Sequence, residues 1–316
     1  MCYNTYSSYL RERFGSRVLK LPVDGGFTCP NRDGQLGTGG CTFCSNEAFC
    51  PSYCRQTENI TAQLDAGIRF QRHRRRPDTC YLAYFQSYSG TYAPIHVLRE
   101  RYEEALQHPD VVGIVVSTRP DCVDDTILEL LASYTDNYYV AVEFGIESCY
   151  DRTLALVRRG HDFACTQHAV RAAAQKGLEV GGHLILGLPG ESRDDILGEA
   201  HLLNGLPLTS LKLHQLQILR GTEMERQYHE EEPFRRSLPL FSADEYVALV
   251  CDLLERLRPD LVIERLAAEV PPRYQAIPER GFRHPDGHPV RNEDIPALVT
   301  AEFVRRGTRQ GSLFVQ

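Results

Sequence analysis

Three cysteines in a glycine-rich stretch near the N-terminus have the residue type and spacing of cluster ligands. Eleven residues separate Cys29 from Cys41, and two more separate Cys41 from Cys44. Four glycines lie between residues 34 and 40, and glycine lets a backbone wrap closely around a bulky inorganic group. A [4Fe–4S] cluster that only carries electrons uses four cysteines, so three leave one iron open to the nitrogen and oxygen donors of a substrate.

This ligand set indicates reductive chemistry on a sulfonium compound. A low-potential cluster with an open iron would pass an electron to S-adenosylmethionine (SAM), break a C–S bond and form a 5′-deoxyadenosyl radical, while the protein orients the cofactor and excludes water. A structural zinc site is the alternative, because Cys41 and Cys44 fit zinc and Cys50 and Cys54 could supply a second pair. Zinc would not explain why the cysteines directly follow the first predicted strand.

The segments that must position these cysteines alternate between short β-rich runs and helical patterns. Several of the six candidate strands are nearly continuous in apolar residues, as is typical of parallel strands buried on both faces. The candidate strands are 18–23, 80–85, 111–117, 138–146, 179–186 and 210–219. Six β–α units in series predict a parallel sheet with right-handed crossovers. Six is two short of a closed barrel, so we expect an α/β fold with a partly open (β/α)6 barrel and functional loops at the C-terminal strand ends.

The sequence pattern changes after residue 220. We expect residues 1–220 to form the barrel core, with a cluster loop at 25–46. Residues 221–316 would form an α+β extension that caps the barrel. Within it, a capping box at Ser242 predicts a helix that ends before Pro259.

Composition and charge limit the class of protein. The chain has 316 residues, of which 42% are apolar, and a formal charge of −7, so its overall field does not attract nucleic acid. One basic run at residues 69–76 is either a solvated helix end or a phosphate-binding patch. The chain has neither a run of the ~20 apolar residues that span a membrane nor an apolar signal core. We therefore expect a cytoplasmic protein whose eleven cysteines are reduced or bind metal.

The end of the cysteine motif, Cys41-Thr42-Phe43-Cys44, resembles the radical SAM superfamily signature, which has an aromatic residue before the last cysteine. The first gap is longer than usual, which is similar to the branch that contains the elongator catalytic subunit. The wider sequence resembles an uncharacterised bacterial family in that branch, often called YhcC-like. The matching stretches are 26–44, 84–86, 117–122, 143–148, 183–191, 211–214, 220–222 and 305–311.

The resemblance implies that Cys29, Cys41 and Cys44 hold a [4Fe–4S] cluster and that SAM binds at the strand ends. The implied SAM contacts are Phe43, Gln86, Ser87, Ser117, Arg119, Glu147, Arg159, His183, Gly187 and Gln217. The amino group of SAM would lie at Gln86 and Ser87, where this chain lacks the family's Gly-Gly-Glu-like element.

Charged side chains among these contacts would bind different parts of SAM. Arg119 and Arg159 would meet the carboxylate by charge-assisted hydrogen bonds, although Arg119 could instead form a turn with Asp121. Glu147 would accept hydrogen bonds from both ribose hydroxyls. His183 would also contact the ribose, unless it is a core histidine.

The last predicted strand carries two pairs of polar residues on opposite faces. Gln215 and Gln217 share one face, and Lys212 and His214 share the other. Without a bulge, only one of these pairs can face the barrel interior.

No motif names the substrate, so the choice of substrate depends on resemblance. The elongator subunit modifies wobble uridines in tRNA, and on this likeness we favour RNA as substrate. Its phosphates would meet the basic run 69–76 together with Arg305, Arg306 and Arg309.

Two other functions remain open on the sequence. One is a radical SAM oxidoreductase that acts on a small anionic metabolite, as in the porphyrinogen-oxidising branch, with Arg119 lining its pocket and Lys212 and His214 joining it if they face inward. The other is a non-catalytic protein that binds an iron–sulfur cluster, SAM or zinc. A radical SAM enzyme would also need a reductant such as flavodoxin or ferredoxin.

Overall fold

One sheet of seven parallel strands, with neighbours in chain order, forms the centre of the computed structural model. The structure describes residues 2–54, 59–268, 270–278, 282, 288 and 290–315. The strands are β1 Val18–Val23, β2 Cys80–Phe85, β3 Val111–Thr118, β4 Tyr139–Glu147, β5 Glu179–Leu186, β6 Ser210–Gln215 and β7 Val262–Arg265. The sheet curls into a half-barrel, and the expected α/β partial-barrel fold is confirmed.

Helices lie between successive strands, as the β–α pattern predicts. They are α1 Tyr6–Phe14, α2 Asn46–Phe49, α3 Ile60–Phe70, α4 Ile95–Leu106, α5 Asp125–Ala132, α6 Asp151–Leu156, α7 Phe163–Gln175, α8 Arg193–Asn204, α9 Glu223–Glu230, α10 Glu232–Ser237, α11 Ala243–Arg256 and α12 Ile295–Arg306. Short 3₁₀ turns occur at Pro120–Cys122 and Pro272–Tyr274. In the described part of the chain, no helix combines the length and apolarity needed to cross a bilayer.

The sheet contains one strand more than the sequence pattern predicts. β7 is four residues long and pairs in parallel with β6, although it lies within the segment expected to be an extension. β6 ends at Gln215, earlier than predicted. Four residues are too few for a periodicity signal, so strand β7 could not be found from its own sequence. The division of the chain at residue 220 remains a prediction.

Helix α1 lies across the N-terminal edge of the sheet. The Tyr9 hydroxyl donates to the Glu179 carboxylate at 2.9 Å, and the Phe14 ring meets the Tyr139 ring edge-on with centroids 5.8 Å apart. Glu179 and Tyr139 are the first residues of β5 and β4. Tyr6 of α1 belongs to the same buried apolar cluster as strand residues that face the barrel interior. The interior is therefore covered at this end, and only its C-terminal end remains for a site.

A network of buried charges fills the middle of the barrel interior. Lys212 Nζ lies 2.8 Å from Glu143 Oε2 and 2.8 Å from Glu264 Oε1. Lys20 pairs with the same two carboxylates and lies 2.6 Å from Glu264 Oε2. His183 Nε2 lies 2.8 Å from Glu143 Oε2. Because Lys20 is on β1 and Glu264 on β7, the network joins the two edge strands of the sheet.

The network is balanced in charge. Burial opposes ionisation of Glu143, but the ammonium groups of Lys20 and Lys212 and the hydrogen bond with His183 hold the pKa of its carboxyl well below the usual range. Two lysines face two glutamates, so each ion has a partner of opposite sign. Removing one member of such a buried set costs about 3–5 kcal/mol, because it leaves an uncompensated charge in the interior.

The basic run 69–76 lies at the N-terminal edge of the sheet. It begins in the last turn of α3 and leads into β2, whose first residue, Cys80, pairs with Val18 at the start of β1. The cluster loop leaves the opposite end of β1, and the six residues of that strand span about 20 Å. The basic run and the three cysteines are therefore at opposite ends of the barrel.

Close approach of β3 and β4 makes Gly113 a sensitive position. An added Cβ would collide with the backbone carbonyl of Tyr139, which belongs to the neighbouring strand. We expect Gly113→Ala to lower the free energy of unfolding by about 3 kcal/mol, at the upper end of overpacking costs. Gly205→Ala is the matched control, because its Cβ would meet the Leu202 carbonyl oxygen at an ordinary 3.5 Å. Urea unfolding measures both, and equal stabilities for the two variants would contradict the strand packing described.

Candidate cluster and cofactor site

Local turns of the loop after β1 position the three cysteines. The amide of Arg32 donates to the Cys29 carbonyl at 2.8 Å, and the amide of Cys44 donates to the Cys41 carbonyl at 3.0 Å. The Gly40 amide donates to the Asn31 carbonyl at 2.8 Å and so closes the stretch between these two turns. All three cysteines are free thiols, and Cys41 is buried.

Arg159 joins the cysteine loop to the end of β4. Its Nη1 lies 3.6 Å from Cys41 Sγ, and its Nη2 donates to the Gly145 carbonyl at 2.6 Å. The same Nη2 lies 3.5 Å from Glu147 Oε1. Burial alone would lower the pKa of Arg159, but Cys41 and Glu147 together raise it above the ordinary value, so the guanidinium stays charged. This cation is fixed beside a sulfur that would become anionic if it bound iron.

A second arginine lies beside the other end of the cysteine motif. Arg32 Nη2 donates to the Cys44 carbonyl at 2.8 Å, and its guanidinium lies 5.9 Å from the ring centroid of Tyr88. Burial and the neighbouring thiols Cys41 and Cys29 raise the pKa of Cys44, while Arg32 opposes that shift. A thiolate at Cys44 therefore needs a compensating positive charge, which a metal cluster and Arg32 would both provide.

Asn31 also supports the loop, and the sequence patterns gave it no role. Its Nδ2 donates to the carbonyls of Arg158 at 2.9 Å and Arg159 at 3.1 Å, and lies 3.5 Å from Cys41 Sγ. Hydrogen bonds to a ligand sulfur tune an iron–sulfur cluster. Gly160 leaves room for this contact, because a Cβ there would approach Asn31 Oδ1 to 2.9 Å.

The arrangement of ligands fits a cluster better than a single ion. Across the described residues, no three His, Cys, Asp or Glu side chains converge as ligands of one metal ion. Cys50 and Cys54, the second pair of the zinc hypothesis, contact Ser87 and the Pro22 carbonyl. In a cubane each thiolate binds a different iron, so three ligands need not meet at one point. Three thiols on one loop and two adjacent guanidinium groups suit a [4Fe–4S] cluster.

Arg119, after β3, adopts the turn that was the alternative to a cofactor contact. Its Nε and Nη2 donate to the two carboxylate oxygens of Asp121 at 2.8 and 2.7 Å. Its Nη1 is buried and makes no hydrogen bond, and the same holds for Nε of Arg159. Buried N–H groups without a partner are costly, so these two donors mark a place for an acceptor.

Backbone strain is concentrated at the same end of the sheet. Among the described residues, three that are not glycine have positive φ: Tyr88 at 55°, Glu147 at 65° and Arg158 at 54°. Glu147 is the last residue of β4, and Tyr88 and Arg158 follow β2 and α6, around the cysteine loop. Gly145 has no room for a side chain, since a Cβ would lie 2.5 Å from both Arg159 Nη2 and Glu147 Oε1. Such strain is typical of functional sites, where the surrounding structure holds it.

Two buried carboxyl groups hold the turn that follows Glu147. Ser148 Oγ donates to Glu191 Oε1 at 2.5 Å, and the Cys149 amide donates to Glu199 Oε1 at 2.8 Å. Burial raises the pKa of Glu191 to about 7, and burial also raises that of Glu199 well above the ordinary value. No sequence pattern assigned a role to Glu199, although its place between Ile196 and Leu203 on the apolar side of α8 was a signal.

The structure places the remaining implied SAM contacts in different surroundings. Gln86 Nε2 donates to the Phe49 carbonyl at 2.7 Å, and Ser87 Oγ lies 3.8 Å from Cys50 Sγ. Phe43 packs against an apolar cluster beside the loop. Ser117, at the end of β3, accepts the Gly90 amide at its carbonyl at 2.8 Å.

Three further implied contacts lie in β5 and beyond β6. His183 belongs to the interior charge network, and Gly187 has φ of 95° with Phe241 close by. Gln217 follows β6, and its Nε2 donates to the Ala268 carbonyl at 2.8 Å, so it fastens the segment after β7. Arg159 contacts both Cys41 and Glu147, whereas His183 and Gln217 bind other partners.

Lys212 and His214 are the inward-facing pair on β6. Lys212 binds Glu143 inside the barrel, and the His214 ring lies 5.7 Å from that of His183. Gln215 faces the other way and accepts the Ala268 amide at 2.8 Å. The strand alternation expected from the sequence holds for these residues, and the chain leaves the strand before Gln217.

Sequence comparison agrees with this geometry. Residues 32–203 match the radical SAM superfamily, and residues 208–284 match the radical SAM C-terminal domain. The chain belongs to the radical SAM superfamily. The superfamily match contains Cys41 and Cys44 and begins three residues after Cys29.

Relatives cover nearly the whole length of this radical SAM protein. The uncharacterised protein YtqA of Bacillus subtilis is 36% identical over 312 residues, which is 99% of this chain and 92% of YtqA. YhcC of Escherichia coli K12 is 37% identical over 266 residues, 84% of this chain and 83% of YhcC. The expected relation to the YhcC-like family is confirmed.

Two more distant comparisons involve the elongator branch. A tRNA uridine(34) acetyltransferase of Dehalococcoides mccartyi is 26% identical over 171 residues, 53% of this chain and 35% of that protein. The structure of Elp3 from Methanocaldococcus infernus superimposes with a TM-score of 0.66 at 17% identity, covering 93% of this chain and 64% of that one. The second likeness concerns the fold alone.

The raised pKa of Glu191 makes a pH-dependent prediction. Below about pH 4.5 its carboxyl is protonated in both the folded and the unfolded chain, so it has no effect on stability. As the pH rises towards 7, the unfolded chain releases this proton while the folded chain retains it, and folding becomes less favourable. We expect Glu191→Gln to avoid this loss, so its stability relative to the wild type should rise by about 2–3 kcal/mol between pH 4.5 and 7. Chemical unfolding across this range measures the difference in stability between the variant and the wild type. That difference would stay constant with pH if burial did not raise the pKa of Glu191.

Proposed function

We propose that the protein is a radical SAM enzyme that holds a [4Fe–4S] cluster on Cys29, Cys41 and Cys44 and reductively cleaves SAM. The observation that carries this proposal is the position of the buried Arg159 guanidinium, which lies 3.6 Å from Cys41 Sγ. Cys41 is on the loop that follows the first strand of a parallel half-barrel. When bound, the cluster supplies the electron that breaks a C–S bond of SAM and yields a 5′-deoxyadenosyl radical.

In this proposal the residues of the chain bind and orient SAM. The unpartnered N–H groups of Arg119 and Arg159 would bind the carboxylate, which removes the cost of burying them unpaired. Glu147 would accept the ribose hydroxyls, with its strained backbone held by the turn at Ser148. Gln86 and Ser87 would hold the amino group. Phe43, Ser117, His183, Gly187 and Gln217 remain proposed contacts.

For the substrate we propose RNA, with a base of tRNA as the target. The tRNA uridine(34) acetyltransferase relative supports this choice. The basic run also supports it, because Arg72, Arg74 and Arg75 are exposed and form no ion pair within 4.0 Å with any described residue. This run lies about 20 Å from the cysteine loop, the length of β1, so the substrate would be a folded RNA wide enough to reach both ends of the barrel.

The second group of basic residues, Arg305, Arg306 and Arg309, contributes less than its sequence suggests. Arg305 pairs with Glu302 at 2.7 Å, and Arg306 pairs with Glu302 and Asp252. These charges are already compensated, which leaves Arg309 as the phosphate contact from this segment in the proposal.

The interior of the barrel offers little support for a small anionic substrate. Lys212 faces inward, as that hypothesis requires, but Glu143 and Glu264 neutralise it. Burial holds the pKa of His214 well below its ordinary value, so this side chain adds no positive charge. Arg119 is paired with Asp121. For catalysis we propose a cytoplasmic setting and a reductant such as flavodoxin or ferredoxin.

Removing one cluster ligand tests the cofactor chemistry. We expect anaerobically reconstituted Cys44→Ala to lose the visible absorbance of the cluster, most of its iron and sulfide, and all formation of 5′-deoxyadenosine from SAM and dithionite. Cys80→Ala is the matched control, because Cys80 is a partly exposed free thiol at the other end of the barrel, and it should retain both cluster and product. A coloured wild-type protein that makes no nucleoside would instead favour a non-catalytic role.

The salt dependence of binding tests the choice of RNA. Binding of RNA weakens with salt, and losing three phosphate contacts makes the negative slope of log affinity against log salt less steep by about 2–3. We expect this reduction for R72Q/R74Q/R75Q with unmodified tRNA, together with weaker binding at each salt concentration. R235Q/R236Q on the exposed part of α10 is the control, in which Arg236 already pairs with Glu232. Equal slopes for the triple variant and the wild type would contradict a role of the basic run in RNA binding.

A further inference from the structure

Cys50 and Cys54 form a pair of thiols that the cluster does not use. Cys50 directly follows α2, and Cys54 is four residues further along the chain. Cys50 Sγ lies 3.8 Å from Ser87 Oγ and 4.0 Å from the Cys54 carbonyl oxygen, and Cys54 Sγ donates to the Pro22 carbonyl at 3.0 Å. Both thiols are partly exposed, so small reagents can reach them.

The two thiols differ in reactivity. The neighbouring Cys54 thiol, opposed by burial and assisted by Ser87, lowers the pKa of Cys50 to about 7. The Cys50 thiol and burial raise the pKa of Cys54, which therefore keeps its proton. A thiolate is the nucleophile in disulfide exchange, and it reacts best when its pKa is near the ambient pH. Cys50 is thus suited to attack a disulfide, and Cys54, whose carbonyl oxygen lies 4.0 Å from Cys50 Sγ, is the neighbouring thiol that would complete the exchange.

We propose that Cys50 and Cys54 are a reversible dithiol–disulfide site, distinct from the cluster ligands. In the forward direction the Cys50 thiolate attacks one sulfur of a low-molecular-weight disulfide and displaces the first thiol. Cys54 then loses its proton and attacks the Cys50 sulfur, which forms the internal S–S bond and displaces the second thiol. Two protein thiols are oxidised and one external disulfide is reduced to two thiols, so atoms and electrons balance.

The segment that carries this pair supports the end of β2. Gln86 Nε2 donates to the Phe49 carbonyl at 2.7 Å, and the Tyr88 amide donates to Asn46 Oδ1 at 3.1 Å. Closing the S–S bond removes the Cys54 hydrogen bond to Pro22 and draws Cys50 away from Ser87. Oxidation therefore changes the surroundings of residues 86–88. If these residues hold the amino group of SAM, a step that rests on the proposed function, the oxidised protein binds SAM more weakly.

Peptide mapping in glutathione buffers tests the thiol pair without any activity assay. Cluster-loaded protein is equilibrated without air at rising ratios of oxidised to reduced glutathione, alkylated, and digested with trypsin and Glu-C. The sequence then releases residues 48–55, which contain Cys50 and Cys54 and no other cysteine. We expect this peptide to pass from the doubly alkylated form to an internal disulfide, which is two hydrogens lighter than the unmodified dithiol peptide. Excess reduced glutathione should restore the doubly alkylated form.

Single substitutions separate the two roles. Cys54→Ser should trap glutathione on Cys50, whereas Cys50→Ser should leave Cys54 largely unmodified. Cys165→Ser is the control, a partly exposed thiol on α7, and it should not change the result. The proposal is overturned if the peptide stays doubly alkylated at every ratio, if its cysteines pair only with other cysteines, or if a chelator is needed before they can be alkylated.

The affinity for SAM tests the consequence at β2. Equilibrium dialysis of the reduced and the oxidised protein should give weaker binding, by about tenfold, for the oxidised form, which corresponds to the loss of about 1.4 kcal/mol. Equal affinities would overturn the link to residues 86–88. Absence of SAM binding in both forms, with the disulfide still formed, would overturn the proposed function and not the thiol pair.

Discussion

The contacts of one buried guanidinium determine how the two halves of the candidate site fit together. Arg159 binds the Gly145 carbonyl at 2.6 Å and lies 3.6 Å from Cys41 Sγ, so the end of β4 and the cysteine loop share one cation. This geometry requires a glycine at 145 and a positive φ at Glu147. The turn at Ser148, held by buried Glu191, keeps that strained backbone in place. The site is therefore built by the strand ends together, and the loop alone would not define it.

An open barrel needs another constraint, because its first and last strands do not close the sheet. Lys20 of β1 and Lys212 of β6 share the carboxylates of Glu143 and Glu264, and this balanced set joins the edge strands through the interior. Helix α1 covers the N-terminal end. Both features leave the C-terminal end open for the proposed cofactor and substrate, and this is the end where the cysteine loop emerges.

The sequence predicted the features that depend on local pattern. The β–α alternation predicted the parallel half-barrel, and the cysteine motif predicted the superfamily, which the match over residues 32–203 confirms. It missed β7, whose four residues carry no period, and the strained Glu147, because a non-glycine residue with positive φ has no sequence signature. Side-chain partners such as Ala268 for Gln217 depend on segments far apart in sequence, so no local pattern contains them.

The central claim is that three thiolates hold a [4Fe–4S] cluster whose fourth iron is open to SAM. Electron paramagnetic resonance of the reduced protein, recorded without SAM and then with SAM labelled with ¹⁵N at its amino group, tests this claim most directly. Coordination of SAM at the open iron predicts a changed spectrum and a hyperfine coupling to the labelled nitrogen. A reduced cluster whose spectrum is the same with and without SAM would mean that SAM does not coordinate an open iron, and would contradict the claim.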